Sequence, residues 1–124
     1  MAQYWLVGAM WEGKHDILPS FLAGGYWYLG YTSEQDEAQN ALRDQMAIGD
    51  RIAVKKMLGQ GSPNIEIRAI GIIKHIDIED GYRRIYVNWV LDKLARQVPS
   101  RGCFKSVHGP YLYDDEWTKT IFCL

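Results

Sequence analysis

The strongest constraint on the fold is a central run of three strand patterns separated by short breaks. Residues 51–57, 65–76 and 83–91 are rich in Ile, Val and Ala. The Gly- and Pro-containing segment 59–64 is typical of a loop, and the acidic segment 77–81 of a turn. Because short connections join antiparallel strands, three such patterns in succession predict a mostly antiparallel sheet.

Other elements are predicted on both sides of this run. Residues 3–10 form a strand pattern, and a short helix runs from Asp16 to about residue 23, where Gly24 and Gly25 stop it. A second helix starts near Ser33 and Asp36, which resemble a capping box, and reaches about residue 46. Residues 102–107 and 118–124 are further possible strands. This order predicts an α+β fold with a curved, barrel-like, mostly antiparallel β-sheet flanked by helices.

The length of 124 residues predicts one domain spanning residues 1–124. Its end lies inside an apolar run, which is compatible with a domain cut from a longer protein. The sequence contains neither an apolar run of membrane-spanning length nor a signal-peptide pattern, so no membrane partner is expected. Two cysteines are too few for a disulfide framework and favour free thiols in a reducing, cytoplasmic context.

Aromatic residues are concentrated near the N-terminus. The chain has five Trp and eight Tyr, and residues 25–31 read Gly-Tyr-Trp-Tyr-Leu-Gly-Tyr. Aromatic side chains fill small cores, which accounts for some of them. Neighbouring aromatic residues cannot all point inward on a regular element, so at least one of this cluster is expected to face solvent or a pocket.

Charge is divided into blocks although the formal net charge is only −1. Residues 51–76 carry five bases and one acid, residues 81–109 carry six bases and one acid, and residues 33–50 are acidic. If the sheet joins the two basic blocks, one face can attract a nucleic-acid backbone; otherwise the charges only solvate the surface. The candidate backbone contacts are Arg68, Arg83, Arg84, Arg101 and Lys105.

No motif demands catalysis. A Gly-rich phosphate loop, zinc-ligand spacing and a nucleophile elbow are all absent from the sequence, and no cofactor or metal is expected. Cys103 with His108 is a weak nucleophile–base pattern. The acids at 114–116 are typical of a solvated turn. Aromatic side chains combined with basic strands instead favour a non-enzymatic domain that stacks bases and holds phosphates.

Several segments together resemble a known family. They are residues 4–11, Gly25-Tyr26-Trp27, the run Gly-Asp-Arg-Ile-Ala-Val-Lys at 49–55, residues 67–73 and Tyr-Val-Asn-Trp at 86–89. Over residues 3–122 the chain resembles the EVE-like domains of the PUA-like superfamily. It is most similar to the N-terminal module of McrB-type modification-dependent restriction proteins, and more distantly to YTH domains. The resemblance implies a DNA-binding module for a modified, flipped base that acts with, or is fused to, an NTPase or nuclease.

The resemblance also implies which residues hold the base. Trp27 matches one wall of the aromatic pocket, while Met10 and Trp11 follow the first strand and line it. Lys55 and Lys56 face it from the strand after Gly-Asp, and since strand side chains alternate, only one of them lines the pocket. Trp89 matches a core tryptophan. The second wall has no clear match and falls to Trp11, Tyr28, Tyr31 or Trp117.

Three other functions stay open at this point. The same fold serves RNA-binding PUA-like modules. A small hydrolase would use Cys103 and His108, and a plain interaction domain would use neither set. Binding to modified oligonucleotides would favour the DNA-binding module, and a preference for RNA would favour the RNA-binding module. Turnover that is lost on Cys103→Ala would favour the hydrolase.

Overall fold

The computed structural model describes residues 2–11, 15–29, 36–59, 61–79, 82–103 and 105–123. Within these ranges the chain forms nine strands and three helices. The strands are β1 (Tyr4–Gly8), β2 (Met10–Trp11), β3 (His15–Asp16), β4 (Tyr26–Tyr28), β5 (Arg51–Met57), β6 (Asn64–Glu79), β7 (Tyr82–Leu91), β8 (Arg96–Pro99) and β9 (Val107–Tyr111). The helices are α1 (Leu18–Gly24), α2 (Glu37–Arg43) and α3 (Glu116–Phe122).

Seven strands form one sheet in the order β4-β7-β6-β5-β1-β9, and β8 pairs with β6 beyond the end of β7. All its pairs are antiparallel except β1 with β5. The prediction of a mixed α+β fold with a mostly antiparallel sheet is confirmed. The sheet is not closed into a barrel by the described strands, because β4 and β9 lie at its two edges.

The central strands are buried on both faces. Side chains alternate along β1, so Trp5 and Val7 belong to one face and Leu6 to the other. We call the cluster containing Trp5 and Val7 the first core; α1 and Trp27 pack there. The cluster containing Leu6 is the second core, which α3 covers.

The predicted elements differ from the structure mainly in the last quarter of the chain. Residues 118–124 were expected as a strand, but residues 116–122 form α3, because Asp115 caps it by accepting the N–H of Trp117 (3.1 Å). The strand expected at 102–107 is also wrong, since β8 ends at Pro99 and β9 begins only at Val107. Residues 77–79, expected in a turn, continue β6.

The two predicted helices are present but shorter than expected. Gly25 ends α1 in the left-handed conformation (φ 72°), and its N–H donates to Phe21 O. The cap of α2 is Asp36, whose carboxylate accepts the N–H of Gln39 (3.0 Å), and Ser33 lies outside the described residues. The helix ends at Arg43 rather than near residue 46.

Helix α2 is joined to the edge strand β9 by one side chain. The Gln39 amide donates to Val107 O (3.1 Å) and accepts the N–H of Val107 (2.7 Å). Because the buried Gln39 side chain bonds both backbone groups of Val107, it takes the place that a neighbouring strand would occupy at this position of the sheet.

The Gly-Asp-Arg run anchors the N-terminal strand. Buried Asp50 precedes β5, and its carboxylate accepts the indole N–H of Trp5 (2.9 Å) and the backbone N–H groups of Gln3 (3.1 Å) and Ala47 (3.0 Å). A carboxylate that accepts three hydrogen bonds fixes the elements that donate them. Asp50 therefore has a structural role in holding β1 beside β5.

Candidate nucleic-acid interface

Four tryptophans have internal partners. The indole N–H groups of Trp5, Trp27, Trp89 and Trp117 donate to Asp50 Oδ2 (2.9 Å), Gly8 O (2.9 Å), Phe21 O (3.1 Å) and Pro99 O (2.8 Å), respectively. Buried indoles with satisfied N–H groups are typical of structural positions. The prediction that Trp89 packs against the core is confirmed.

Two of the expected pocket walls, Trp27 and Trp117, lie apart in the structure. Trp27 is 0% exposed in the first core and Trp117 is 7% exposed in the second, on opposite faces of the sheet. No part of the Trp27 ring is therefore open to a base in this structure. Tyr31 and the side chain of Trp11 lie outside the described part of the chain.

Met10 and Lys56 lie beside a crevice too small for a base. Asp16 and Arg68 also line it, and its volume is about 10 Å³. That is room for roughly one water molecule. Met10 is exposed at the mouth, but a nucleobase cannot enter without a rearrangement of these side chains.

Both Lys55 and Lys56 line this crevice, although the alternation of a strand predicts that only one of them faces a pocket. Lys55 is the more buried of the two. It lies in register with Gly8 of β1 and is only 6% exposed, whereas Lys56 is half-buried. Its ammonium makes no hydrogen bond or ion pair within the described ranges. Burial lowers the pKa of Lys55 from 10.5 to about 8, partly offset by nearby Cys103. Perturbed groups of this kind cluster at functional sites.

The structure gives Cys103 and His108 separate partners and no hydrogen bond to each other. Cys103 is buried, and its sulfur contacts the Tyr111 hydroxyl (3.6 Å). The Nε2 of His108 accepts the N–H of Lys105 (3.0 Å). Burial, with the nearby charge of Lys55, lowers the pKa of His108, while burial and the Cys103 contact raise the pKa of Tyr111. These contacts are those of packed side chains.

Lys55 gives a test of the buried charge. Because its folded-state pKa of about 8 lies below the unfolded value of 10.5, the unfolded chain binds more protons between these pH values. The free energy of unfolding therefore rises with pH across that window, by roughly 3 kcal/mol. Lys55→Met should stabilise the protein at pH 7 by a similar amount and abolish that rise in urea denaturation. Lys74→Met, at an exposed position of β6, is the control. A destabilised Lys55→Met variant would show that the ammonium has a compensating partner.

The five candidate backbone cations do not all share one face, because Arg83 and Arg84 are consecutive residues of β7 and point to opposite sides. Three pair with acids: Arg68 with Glu66 (3.4 Å), Arg83 with Asp44 (3.1 Å) and Arg101 with Asp115 (3.4 Å). Lys105 is exposed and makes no ion pair with a described residue. Only Arg84 lies among accessible aromatic rings.

Arg84 belongs to a surface that we call the tyrosine face, formed by Tyr26, Tyr28, His75, Arg84 and Tyr86. Strand β4 places Tyr26 and Tyr28 in register with Tyr86 and Arg84 of β7. Both tyrosines also pack against the first core, where the Phe21 ring centre lies 5.9 Å from that of Tyr26 and 5.3 Å from that of Tyr28. The Arg84 guanidinium lies 4.9 Å from the Tyr26 ring centre and 5.9 Å from that of Tyr28. The ring centres of Tyr26 and Tyr86 are 6.2 Å apart, and the ring centre of His75 lies 5.7 Å from that of Tyr86. The tyrosines and Arg84 are partly accessible and His75 is exposed.

This surface was partly visible in the sequence. Tyr28 and Arg84 were both candidates, and at least one aromatic residue of 25–31 was expected to leave the core. Tyr26, Tyr86 and His75 were missed because residues 26–28 were not recognised as a strand. Their pairing with β7 supplies the register that aligns the rings.

Comparison with known proteins gives no relative: no family model, curated protein or solved structure matches this chain. No helix within the described ranges is long and apolar enough to cross a membrane. The described residues hold no group of three or more His, Cys, Asp or Glu side chains suited to a metal ion. Both cysteines are free.

Proposed function

We propose that this chain is a non-catalytic nucleic-acid-binding domain that stacks unpaired bases on the tyrosine face. The observation that carries the proposal is the Arg84 guanidinium lying over Tyr26 and Tyr28 beside the accessible ring of Tyr86. Base–aromatic stacking contributes about 1–3 kcal/mol per base, and a stacked guanidinium can also donate to a phosphate. Tyrosines on the neighbouring β-strands β4 and β7 can stack on successive bases of one nucleic-acid strand.

The proposed target is DNA that carries a modified base. The sequence resemblance to EVE-like modules supports DNA with a modified base as the ligand and a modification-dependent restriction system as the setting. The face itself suits both DNA and RNA, because every base has a ring to stack. Preference for RNA oligonucleotides would select the RNA-binding PUA-like alternative.

Tyr86→Ala should weaken binding to single-stranded oligonucleotides about tenfold, since one stacking partner is lost. The measurement is fluorescence anisotropy with DNA and RNA probes carrying plain, methylated and hydroxymethylated bases. The control is Leu112→Ala, which removes an exposed side chain outside the tyrosine face. Equal losses in both variants, or none in either, would contradict the proposal.

Arg84→Met should weaken binding of plain and modified strands similarly. It should also reduce the slope of log affinity against log salt by roughly 0.7, the value for one phosphate of a single strand. Asp77 gives a variant with the opposite expected effect, because it is exposed and in register with Arg84. Asp77→Asn should strengthen oligonucleotide binding by removing a negative charge that repels the phosphates. An affinity that does not change with salt would remove nucleic acid as the ligand.

A further inference from the structure

A second concave site lies where the sheet meets the end of α3. Its volume is about 440 Å³, within the range of roughly 300–1,000 Å³ typical of small-molecule pockets. Ile70, Gly71 and Ile72 of β6 form part of its lining, and Val90 of β7 contributes an exposed apolar side chain. The cleft shares no residue with the tyrosine face.

Three aromatic rings line one part of the cleft. The ring centre of Tyr4 lies 5.3 Å from that of Tyr113, at an interplanar angle of 37°. It lies 4.9 Å from the ring centre of Phe122, at an interplanar angle of 71°. Tyr113 is 46% exposed, so its ring has free surface, while Phe122 is buried. Tilted rings around an open space suit a flat apolar group that stacks on one ring and meets the edge of another.

Arg51 contributes a positive charge to the same cleft. It is the first residue of β5, and its Nη1 donates to the carbonyl oxygen of Gly49. It forms no ion pair with an acid in the described ranges. A guanidinium with N–H groups to spare binds carboxylate, sulfonate or phosphate oxygens in a planar, often bidentate geometry.

We propose that this cleft binds a small planar aromatic molecule that carries one anionic group. The ring stacks on Tyr113 against Tyr4, and the anion pairs with Arg51. The site is separate from the strand-binding surface and does not depend on the proposed function. A purine nucleotide and an aromatic sulfonate share this chemistry.

The test uses the whole chain with two probes, AMP and naphthalene-1-sulfonate, and adenosine as the neutral match for AMP. Calorimetry should show binding of at least one anionic probe. Arg51→Met should weaken that binding at least about tenfold, because a charged hydrogen-bonding partner is lost. Tyr113→Ala should weaken it as well, whereas Leu112→Ala, at an exposed position outside both the cleft and the tyrosine face, should not. Arg51→Lys, which keeps the charge, should retain part of the affinity and guards against a folding defect.

Cys123 gives an independent readout. It is exposed and lines the cleft, while Cys103 is buried, so a maleimide should label Cys123 first. A bound probe should slow that labelling, as followed by mass spectrometry. Binding of neither anionic probe, equal affinity for adenosine, or unchanged binding by Arg51→Met would overturn the proposal. Failure of oligonucleotide binding alone would leave this result standing and count only against the tyrosine face.

Discussion

Replacing Trp27 with alanine is expected to lower the free energy of unfolding by about 3–5 kcal/mol, the usual cost of deleting a buried aromatic side chain. The ring is fully buried in the first core, and its N–H donates to Gly8 O (2.9 Å). Urea denaturation of wild type and variant measures the change. The family resemblance predicts instead that the fold survives and only base discrimination is lost.

Two further variants separate these outcomes. Trp27→Phe keeps most of the buried ring but leaves the Gly8 carbonyl without its donor, so it should cost about 1–3 kcal/mol. Leu112→Ala, at an exposed position, should leave stability within about 0.5 kcal/mol of wild type. A Trp27→Ala protein with wild-type stability and no affinity for modified oligonucleotides would restore the pocket-wall role.

Asp50→Ala should cost a similar amount, about 3–5 kcal/mol, because three N–H groups lose a charged acceptor at once. The donors belong to Gln3, Trp5 and Ala47, so the loss should loosen β1 from β5. The stability of Asp50→Asn should fall between those of wild type and Asp50→Ala. One acceptor oxygen remains, while the other is replaced by an NH2 group that is a donor. Denaturation midpoints check both variants.

The control for this series is Asp92→Ala, which removes an exposed carboxylate just after β7. It should leave stability nearly unchanged. A double variant that combines Asp50→Ala with Trp5→Phe should lose less free energy of unfolding than the sum of the two single losses, because each single change already removes the hydrogen bond that the two residues share. Additive losses would show that the Trp5 contact contributes little.

The strand-rich centre was predictable from the sequence because its apolar pattern is long and its breaks are clear. Residues 51–57 were predicted with their observed limits, and both later strands were located. The tail was not, because Thr118, Thr120 and Ile121 favour strands by propensity. The competing signal was the cap at Asp115 with Trp117 and Ile121 four residues apart on one helix face.

The candidate site was less predictable because it depends on pairing across the sheet. Composition showed that some aromatic side chains must leave the core, but not which. The three-residue strand β4 is too short for a periodic pattern, yet its register with β7 brings Tyr26 to Tyr86. The sequence does not distinguish a pocket wall from a core position for Trp27, because an indole can satisfy its N–H inside a core, as this one does.

The Gln39 contact has a consequence for self-association. An edge strand with unpaired N–H and C=O groups is a template on which a second molecule can add a strand. At Val107 both groups are occupied by the Gln39 amide, so growth of the sheet is blocked there by one side chain of a seven-residue helix. Local opening of α2 would expose this template while the rest of the sheet stayed folded. The tendency of the protein to form intermolecular sheets should therefore follow the stability of that short helix rather than that of the whole fold.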